Sequence, residues 1–395
     1  MSTVPASAFP DPEMGEPFLL TPGPLTTALS VKQAMLRDWG SWDGDFRAMT
    51  ADIRGRLLAL AGDDGSYTCV PMQGSGSFAV EAMLGTLVPR DGKVLVLANG
   101  AYGLRAAETC RTIGRAHVLI DKGDYLPPRG AEVTAALRAD PAITHVVAIH
   151  CETSSGILNP LAEIAEAVRA EGRELLVDSM SAFGALPCEG PELGYTAMVS
   201  SANKCIEGVP GFGFVIVRKE ALAAAKGNCH SLALDLEAQG RYMEATGQFR
   251  YTPPTHAVAA FQEALRLHAE EGGIAGRGAR YAANRDKLVA GMRALGFESL
   301  LSDRWLSPII VTFFCPADPR FAFQAFYDGM KSRGFIIYPG KLTVVESFRI
   351  GCIGRMDAAV MDRVTLAAAE TLAEMGVTNA APPEAAMAER ARLAA

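Results

Sequence analysis

Lys204 is the first residue whose type and position suggest chemistry. It follows a short apolar run at residues 197–199 and precedes the segment Gly208-Val-Pro-Gly-Phe-Gly213. A lysine at the end of a buried strand usually extends its ammonium group into water. A lysine whose pKa is lowered is instead a nucleophile toward carbonyl groups and forms Schiff bases with them. Lys204 alone does not decide between these two roles.

Asp178 is the second candidate, because it ends the apolar run Glu174-Leu-Leu-Val-Asp178. Open α/β sheets bind ligands at the carboxyl ends of their parallel strands. A carboxylate at that place can pair with the pyridine nitrogen of pyridoxal 5'-phosphate and keep it protonated, which lets the ring accept electrons. An aspartate in front of a helix can also serve only as an N-cap, so Asp178 alone leaves both roles open.

The segment Gln73-Gly-Ser-Gly-Ser77 precedes an apolar helical pattern and is the third candidate. Backbone N–H groups and hydroxyls at the start of a helix bind anions. The segment lacks the motifs of dinucleotide and P-loop sites, so a single phosphate fits it better than a pyrophosphate. A Gly-Ser-Gly run is often only a turn. The order of this segment, Asp178 and Lys204, each near a strand end, predicts pyridoxal phosphate bound to Lys204 as a Schiff base.

The elements that must position these residues follow an α/β pattern. Short apolar runs without alternation predict strands that are buried on both faces of a mostly parallel sheet. These runs lie at residues 94–98, 145–149, 174–178, 197–199 and 213–217. Helical stretches such as residues 161–171 lie between them, so we expect helices on both faces of the sheet.

The pattern changes after about residue 280, where we predict a smaller α+β unit with its own sheet. Its predicted strands are at residues 307–314 and 335–338, and its helices are at residues 320–333 and 356–375. The predicted division is a flexible tail, a large cofactor-binding domain whose N-terminal segment reaches the active site, a small domain and a second flexible tail. Their bounds are 1–17, 18–280, 281–378 and 379–395.

Composition excludes several classes of partner. The net charge of −7, without long runs of one sign, argues against nucleic acid and against an acidic membrane surface. The apolar runs are too short for a transmembrane helix, and the first residues lack the pattern of a signal peptide. The eight cysteines are scattered singly, as expected in the reducing cytoplasm. We therefore predict a cytoplasmic enzyme with no metal site.

Longer runs of the sequence resemble the fold-type I, class V aminotransferases, which use pyridoxal phosphate. The resemblance covers residues 18–378 and is carried by Leu19-Leu-Thr-Pro-Gly-Pro-Leu-Thr-Thr27, Gln73-Gly-Ser-Gly-Ser77, Asn99-Gly-Ala-Tyr-Gly103, His150-Cys-Glu-Thr-Ser-Ser-Gly156, Ser200-Ser-Ala-Asn-Lys-Cys205, Tyr338-Pro-Gly-Lys341 and Ser347-Phe-Arg-Ile-Gly351. It implies a mostly parallel, seven-stranded sheet between helices, with a smaller α+β C-terminal domain.

The family pattern implies roles around the cofactor for six further residues. They are three residues of a phosphate loop, an aromatic residue over the pyridine ring, a hydroxyl near the phenolic oxygen and the neighbour of the lysine: Ser75, Gly76, Ser77, Tyr102, Thr153 and Asn203. Tyrosine suits the ring position because it is flat and has a polar end. The alternative for Tyr102 is a core aromatic residue that follows a strand.

Two more positions match residues outside the cofactor's immediate surroundings. Thr252 matches a threonine that contacts the phosphate of the partner subunit's cofactor, which implies a homodimer with shared active sites. Arg349 matches a substrate anchor, and its planar fork of donors suits both a carboxylate and a phosphonate. The alternative for Arg349 is a structural ion pair between the domains.

The branch of the family that these runs resemble most moves the amino group of 2-aminoethylphosphonate to pyruvate, giving phosphonoacetaldehyde and L-alanine in phosphonate catabolism. Lys204 would then also move the proton between the substrate and cofactor carbons. A class V transaminase for another amine, of the alanine–glyoxylate type or for a modified aminophosphonate, is an alternative because a fold does not set its substrate. A catalytically inactive binding protein of this fold is the second alternative, and the intact Lys204 and Asp178 argue against it.

Overall fold

A seven-stranded sheet and a three-stranded sheet are the centres of the two parts of the chain. In the computed structural model, the described residues are 7–9, 11, 12, 15–341 and 345–394. None of the helices in these ranges is both long enough and apolar enough to cross a membrane.

The strands in the described ranges are β1 (Phe18–Leu19), β2 (Tyr67–Gly74), β3 (Lys93–Ala98), β4 (Ala116–Asp121), β5 (Ile143–Ile149), β6 (Cys151–Glu152), β7 (Ile157–Leu158), β8 (Glu174–Asp178), β9 (Ala197–Ser201), β10 (Gly211–Arg218), β11 (Ile310–Phe314), β12 (Phe335–Ile336), β13 (Tyr338–Pro339) and β14 (Ser347–Gly351). The α-helices there are α1 (Leu29–Gln33), α2 (Gly44–Leu60), α3 (Gly76–Leu87), α4 (Ala101–Thr112), α5 (Gly130–Ala139), α6 (Leu161–Ala170), α7 (Gly190–Leu193), α8 (Lys219–Ala224), α9 (Leu236–Thr246), α10 (Thr255–Glu270), α11 (Gly273–Ala294), α12 (Phe323–Ser332), α13 (Ala358–Glu374) and α14 (Glu384–Ala394).

The large sheet has the strand order β2-β10-β9-β8-β5-β3-β4. The pairs from β9 through β8, β5 and β3 to β4 are parallel, whereas β10 is antiparallel to both of its neighbours. This mixed, mostly parallel sheet confirms the predicted fold class. All five strands predicted for this sheet are present, because a run of apolar residues is a strong signal where both faces of a strand are buried.

The two edge strands, β2 and β4, were missed by the sequence prediction. Pro71 interrupts the apolar run of β2, and an edge is a position where a sheet tolerates proline. Strand β4 mixes polar and apolar residues, and its Leu119 is 42% exposed. Strand β4 is partly exposed along its length and lacks the continuous apolar run of the central strands, whereas β2 is mostly buried and was missed because of its proline.

Helices cover both faces of the large sheet. On one face, Phe46 of α2 and Phe261 of α10 pack in the same apolar cluster as Val177 of β8. On the other face, Met83 of α3 packs in a second cluster with Leu176, the neighbour of Val177 in β8. Successive residues of a strand point to opposite faces, so a strand buried on both sides contributes to both clusters.

The three-stranded sheet β11-β14-β13 is antiparallel and has a core of its own. Its centre is a group of phenylalanine rings whose centroids lie 5.3 to 6.4 Å apart, at Phe297, Phe313, Phe326 and Phe348. Helices α11, α12 and α13 contribute to this core. Ring pairs at these separations add stabilisation beyond the area that they bury.

The predicted domain limits stay predictions, although the structure describes the segments concerned. Helix α11 runs without a break across residue 280, and β1 pairs in parallel with β12, in the C-terminal part. Of the predicted tail 1–17, residues 1–6, 10, 13 and 14 lie outside the described residues, while Asp11 forms an ion pair with Arg363. The predicted tail 379–395 contains α14, whose Ala386 is buried in the C-terminal core.

Candidate active site

The register of the large sheet brings the three candidate segments to one edge. Strands β8 and β9 are parallel, and Asp178 is opposite Val199. Strand β2 runs in the same direction, and its last residue, Gly74, is paired with Gly211 at the start of β10. The carboxyl ends of β2, β8 and β9 therefore lie together, as does the turn after β9 that contains Lys204.

Lys204 is half-buried in the turn that follows β9. Its Nζ donates a hydrogen bond to the carbonyl oxygen of Pro22 at 2.6 Å, and a Cβ added to Gly23 would lie 2.8 Å from Nζ. The N-terminal segment, which we expected near the active site, thus lies against the lysine. Burial lowers the pKa of Lys204 to about 8, so a substantial part of the amine is neutral near that pH and can attack a carbonyl.

Asp178 is 7% exposed at the end of β8, and its Oδ1 accepts a hydrogen bond from the N–H of Met180 at 2.9 Å. The next helix in the chain, α7, begins only at Gly190, so the alternative of a helix N-cap does not describe this geometry. Burial raises the pKa of Asp178 to about 6, although the bond from Met180 acts in the opposite direction. One backbone hydrogen bond offsets little of the desolvation cost of a buried carboxylate. A further donor, such as a protonated ring nitrogen, would therefore stabilise its charged form.

The phosphate loop, residues 75–77, joins β2 to the twelve-residue helix α3. Ser75 is the N-cap residue of α3, and its side chain makes no capping hydrogen bond, so it does not occupy the first N–H groups of the helix. A Cβ added to Gly76 would lie 2.4 Å from the sulfur of Met180, so a larger residue there would require the Met180 side chain to move. The helix dipole and these N–H groups favour an anion at the loop.

Tyr102 lies in the first turn of α4, which the buried carboxylate of Glu152 holds in place. Glu152 Oε2 accepts hydrogen bonds from the N–H of Tyr102 at 2.9 Å and from that of Gly103 at 3.3 Å. At Gly100, where φ is +151°, a Cβ would lie 2.6 Å from Glu152 Cγ, so the close approach requires glycine. Two of the family-like runs therefore meet at Glu152, which positions the ring of Tyr102.

Arg349, on β14, is buried. It connects the C-terminal part of the chain to the large-sheet part by a hydrogen bond. Its Nη1 donates to the carbonyl oxygen of Thr153 at 2.9 Å and its Nε to that of Pro339 at 3.0 Å. Among the described residues, it has no carboxylate within salt-bridge distance, so it is not the interdomain ion pair of the alternative interpretation. The buried Thr153 Oγ1 has no hydrogen-bond partner in the described ranges.

A cavity of about 640 Å³ lies at this edge of the large sheet. Seven of the predicted site residues line it, namely Ser75, Gly76, Ser77, Tyr102, Asp178, Asn203 and Lys204. It offers a helix start for a phosphate, a buried carboxylate for a ring nitrogen and an amine for an aldehyde, so its residues fit pyridoxal phosphate. Arg349 and Thr153 contact each other outside this lining. Thr252 is exposed, and its carbonyl oxygen is 3.4 Å from Gln73 Nε2, just before the phosphate loop.

Three residues of the site were missed by sequence reasoning, and each had a signal. Glu152 lies inside a family-like run, but the hydrogen bond that it accepts from the N–H of Tyr102 joins residues that are 50 positions apart in the sequence. Arg105 follows Tyr102 by three positions on α4, which places both on one helix face; it lines the cavity, and its Nη1 is 3.5 Å from Ser77 Oγ. Lys341 ends the run Tyr338-Pro-Gly-Lys341, and its Nζ is 5.8 Å from the centroid of the Tyr102 ring.

A buried group of paired charges, here called the ion cluster, supports the turn of Lys204. It consists of Glu207, Glu271, Arg277 and Arg280, with Tyr281. Arg280 Nη2 donates to Glu207 Oε1 at 2.8 Å, and Tyr281 donates to the same oxygen at 2.6 Å. Arg277 and Arg280 also bind Glu271, at 2.8 and 2.6 Å.

Glu207 connects the ion cluster to the lysine. Its N–H donates to the carbonyl oxygen of Lys204 at 2.7 Å, and its φ of +64° is a left-handed conformation that a non-glycine residue rarely adopts. Burial alone would raise the pKa of Glu207, but Arg277 and Arg280 hold it below its usual range. The ion cluster therefore fixes a strained turn beside the reactive amine.

Comparison with known proteins bears out the family assignment. The family model for class V aminotransferases matches residues 64–315. A 2-aminoethylphosphonate–pyruvate transaminase of Rhizobium meliloti (strain 1021) is 73% identical over 383 residues, which are 97% of this chain and 100% of that protein. Another, 2-aminoethylphosphonate–pyruvate transaminase 1 of Paraburkholderia xenovorans (strain LB400), is 68% identical over 384 residues, or 97% of this chain and 99% of that protein.

A solved structure shows the same fold at low sequence identity. Pyridoxamine-pyruvate aminotransferase from Mesorhizobium loti superposes with a TM-score of 0.83 and is 23% identical, over 98% of this chain and 100% of that chain. The fold, the cavity and the relatives agree: the chain belongs to the class V aminotransferases, a family of pyridoxal-phosphate enzymes.

Proposed function

We propose that this chain transfers the amino group of 2-aminoethylphosphonate to pyruvate, giving phosphonoacetaldehyde and L-alanine. The observation that carries the proposal is the identity of 73% to a transaminase of that name, over 97% of this chain. The buried Arg349, bonded only to carbonyl oxygens among the described residues, supports the binding of an anionic substrate.

The residues of the cleft divide the work of the reaction. Pyridoxal phosphate, when bound, supplies an electron sink for the substrate carbanion. Lys204 would hold it covalently and then, as a free amine of lowered pKa, take the proton from the substrate carbon and deliver it to the cofactor carbon. Asp178 would hold a proton at the ring nitrogen, and the phosphate loop would bind the phosphate. Tyr102 would limit movement of the ring.

A substrate panel tests the proposed reaction. Alanine formation from pyruvate is measured with 2-aminoethylphosphonate, with a hydroxylated aminophosphonate and with other amines, and alanine with glyoxylate is measured in parallel. We expect the largest kcat/KM with 2-aminoethylphosphonate. A larger kcat/KM with another pair of amino donor and acceptor would make that pair the substrates. Absence of turnover with every pair would favour a binding protein.

We also propose that the chain works as a cytoplasmic homodimer with shared active sites. Thr252 is exposed beside the phosphate loop, which suits contact with a neighbouring subunit's cofactor. Leu36 and Trp42 are 84% and 74% exposed, and large apolar side chains are commonly covered at interfaces. All eight cysteines are free thiols, which suits a reducing compartment.

Mixing two inactive variants tests the shared site. Lys204→Ala and Thr252→Ala proteins are prepared separately, mixed and allowed to exchange subunits. A mixed dimer has one site with both residues intact if Thr252 acts on the partner's cofactor, so activity returns. No recovery, in a mixture whose exchange is verified by mass labels, would place Thr252 in its own subunit's site, and full activity of Thr252→Ala by itself would place Thr252 outside both sites.

A further inference from the structure

Lys341 is a cation of the cleft that the proposed chemistry has not used. It follows β13, and its Nζ is 5.8 Å from the centroid of the Tyr102 ring, a residue that lines the cavity. Tyr102 also has the guanidinium of Arg105 over its ring, at 5.0 Å. Lys341 belongs to the C-terminal part of the chain and Tyr102 to the large-sheet part, so the lysine reaches across the cleft.

Lys341 differs from four other lysines of this chain in its charge environment. Lys32, Lys93, Lys122 and Lys287 each form an ion pair with a carboxylate. Within the described ranges, Lys341 has no carboxylate at salt-bridge distance. Burial lowers its pKa, and the nearby charges of Arg105 and Arg349 lower it further, while that of Glu152 acts in the opposite direction. Three cations thus share one region of the cleft, and none of them is paired there with a carboxylate of the described chain.

The two anions of the proposed reaction differ in charge. A phosphonate resembles a phosphate ester, whose group carries about −1.5 to −2 charges near neutral pH, whereas the carboxylate of pyruvate carries a single negative charge. One guanidinium, that of Arg349, balances a carboxylate. Arg105 points to the phosphate loop through Ser77, which leaves Lys341 as the cation that can balance the second charge of a phosphonate.

We infer that Lys341 is a specificity-determining residue that binds the phosphonate group of the amino donor and contributes little to the binding of pyruvate. The inference rests on the proposed function. Under this inference the two anions bind different sets of cations. Arg349 binds both anions, and Lys341 binds the phosphonate alone.

The test compares Lys341→Met and Lys341→Arg with Lys331→Met, a control on the exposed surface of α12. Single-turnover kinetics are measured for each half-reaction, with 2-aminoethylphosphonate and its carboxylate analogue β-alanine as donors and with pyruvate as acceptor. We expect Lys341→Met to lose about 10- to 100-fold in kcat/KM for 2-aminoethylphosphonate, the size of one charge-assisted hydrogen bond. The values for β-alanine and pyruvate should change less than about threefold, and Lys341→Arg should recover most of the loss.

Equal losses in both half-reactions would overturn the inference, because Lys341 would then only hold Tyr102 in place through its cation–π contact. Affinity for the cofactor, measured by fluorescence titration, would fall as well in that case. Unchanged use of 2-aminoethylphosphonate by Lys341→Met would also overturn it. If the unaltered enzyme itself does not use 2-aminoethylphosphonate, the proposed function fails first, and the inference fails with it.

Discussion

Two groups of buried charges, the ion cluster and the charges of the cleft, are arranged in opposite ways. In the ion cluster, Glu207 binds Arg280 and Tyr281, and both arginines bind Glu271. In the cleft, Asp178 accepts a bond from a backbone N–H, and Arg349 donates to carbonyl oxygens. The pKa values of Asp178 and Lys204 are both shifted toward the neutral form.

This difference separates groups that hold the fold from groups that await a ligand. A paired charge has its desolvation offset within the protein, and removing one partner leaves the other buried and uncompensated. An unpaired buried charge weakens the fold until something binds it. Variants of the cleft should therefore lose activity without losing stability, and variants of the ion cluster should do the reverse.

The largest effect is expected for Lys204→Ala. This variant should bind pyridoxal phosphate without a covalent bond and lose transamination, because the turn after β9 then has no amine to form the Schiff base. Borohydride reduction followed by mass spectrometry detects the bond, and turnover is measured directly. Lys226→Ala, at an exposed lysine, serves as the control. Turnover of Lys204→Ala at a measurable fraction of the unaltered enzyme would remove the lysine from the mechanism.

Asp178→Asn should lower the rate by orders of magnitude, because a neutral side chain no longer holds the ring nitrogen protonated. It should also stabilise the cofactor-free protein. The pKa of Asp178 rises from 3.8 to about 6 on folding, so its burial destabilises the fold increasingly between those values and fully above about pH 6. The shift corresponds to on the order of 3 kcal/mol.

Urea unfolding of the cofactor-free protein at pH 4 and pH 8 measures this gain, which should be present at pH 8 and nearly absent at pH 4. Asp43→Asn is the matched control, because Asp43 also accepts a bond from the N–H two residues later, at 2.9 Å, on the surface. Near-normal turnover of Asp178→Asn would reduce Asp178 to the turn that it forms with Met180.

Glu207→Gln should destabilise the protein by about 3–5 kcal/mol, because Arg277 and Arg280 would keep a single carboxylate between them. Turnover per folded molecule should fall far less than in Asp178→Asn. Tyr281→Phe removes one hydrogen bond from the same oxygen and should cost less. Urea unfolding of the cofactor-free protein gives the free energies. A change below about 1 kcal/mol for Glu207→Gln would contradict the role given to the ion cluster.

Arg349→Lys should have the smallest effect of the four. A lysine keeps the charge but cannot make paired hydrogen bonds, so a loss of about 1.5–3 kcal/mol is expected, or one to two decades in kcat/KM. Both half-reactions should weaken together in single-turnover kinetics, and cofactor binding should be spared. Arg320→Lys, at an exposed arginine, is the control. A defect in one half-reaction alone would give the two anions different anchors, and no defect would make Arg349 structural.

The sequence by itself determined the central strands and the residues at their ends. Lys204 and Asp178 could be proposed because each follows an apolar run that is buried on both faces, and such runs are read without knowledge of distant contacts. The phosphate loop could be proposed because glycine and serine stand directly before a helix. Their common order along the chain, together with the family-like runs, was enough for the cofactor.

Only the tertiary structure decided which distant residues share the cleft. Arg349 meets Thr153 across 196 positions of the chain, and Lys204 meets Pro22 across 182. The ion cluster and the approach of Lys341 to Tyr102 likewise join segments that are far apart in sequence. Such contacts depend on strand register and on how the C-terminal part of the chain packs against the large-sheet part. Neither the register nor the packing can be predicted from a local run of residues, because the partner of each side chain is set by the whole fold.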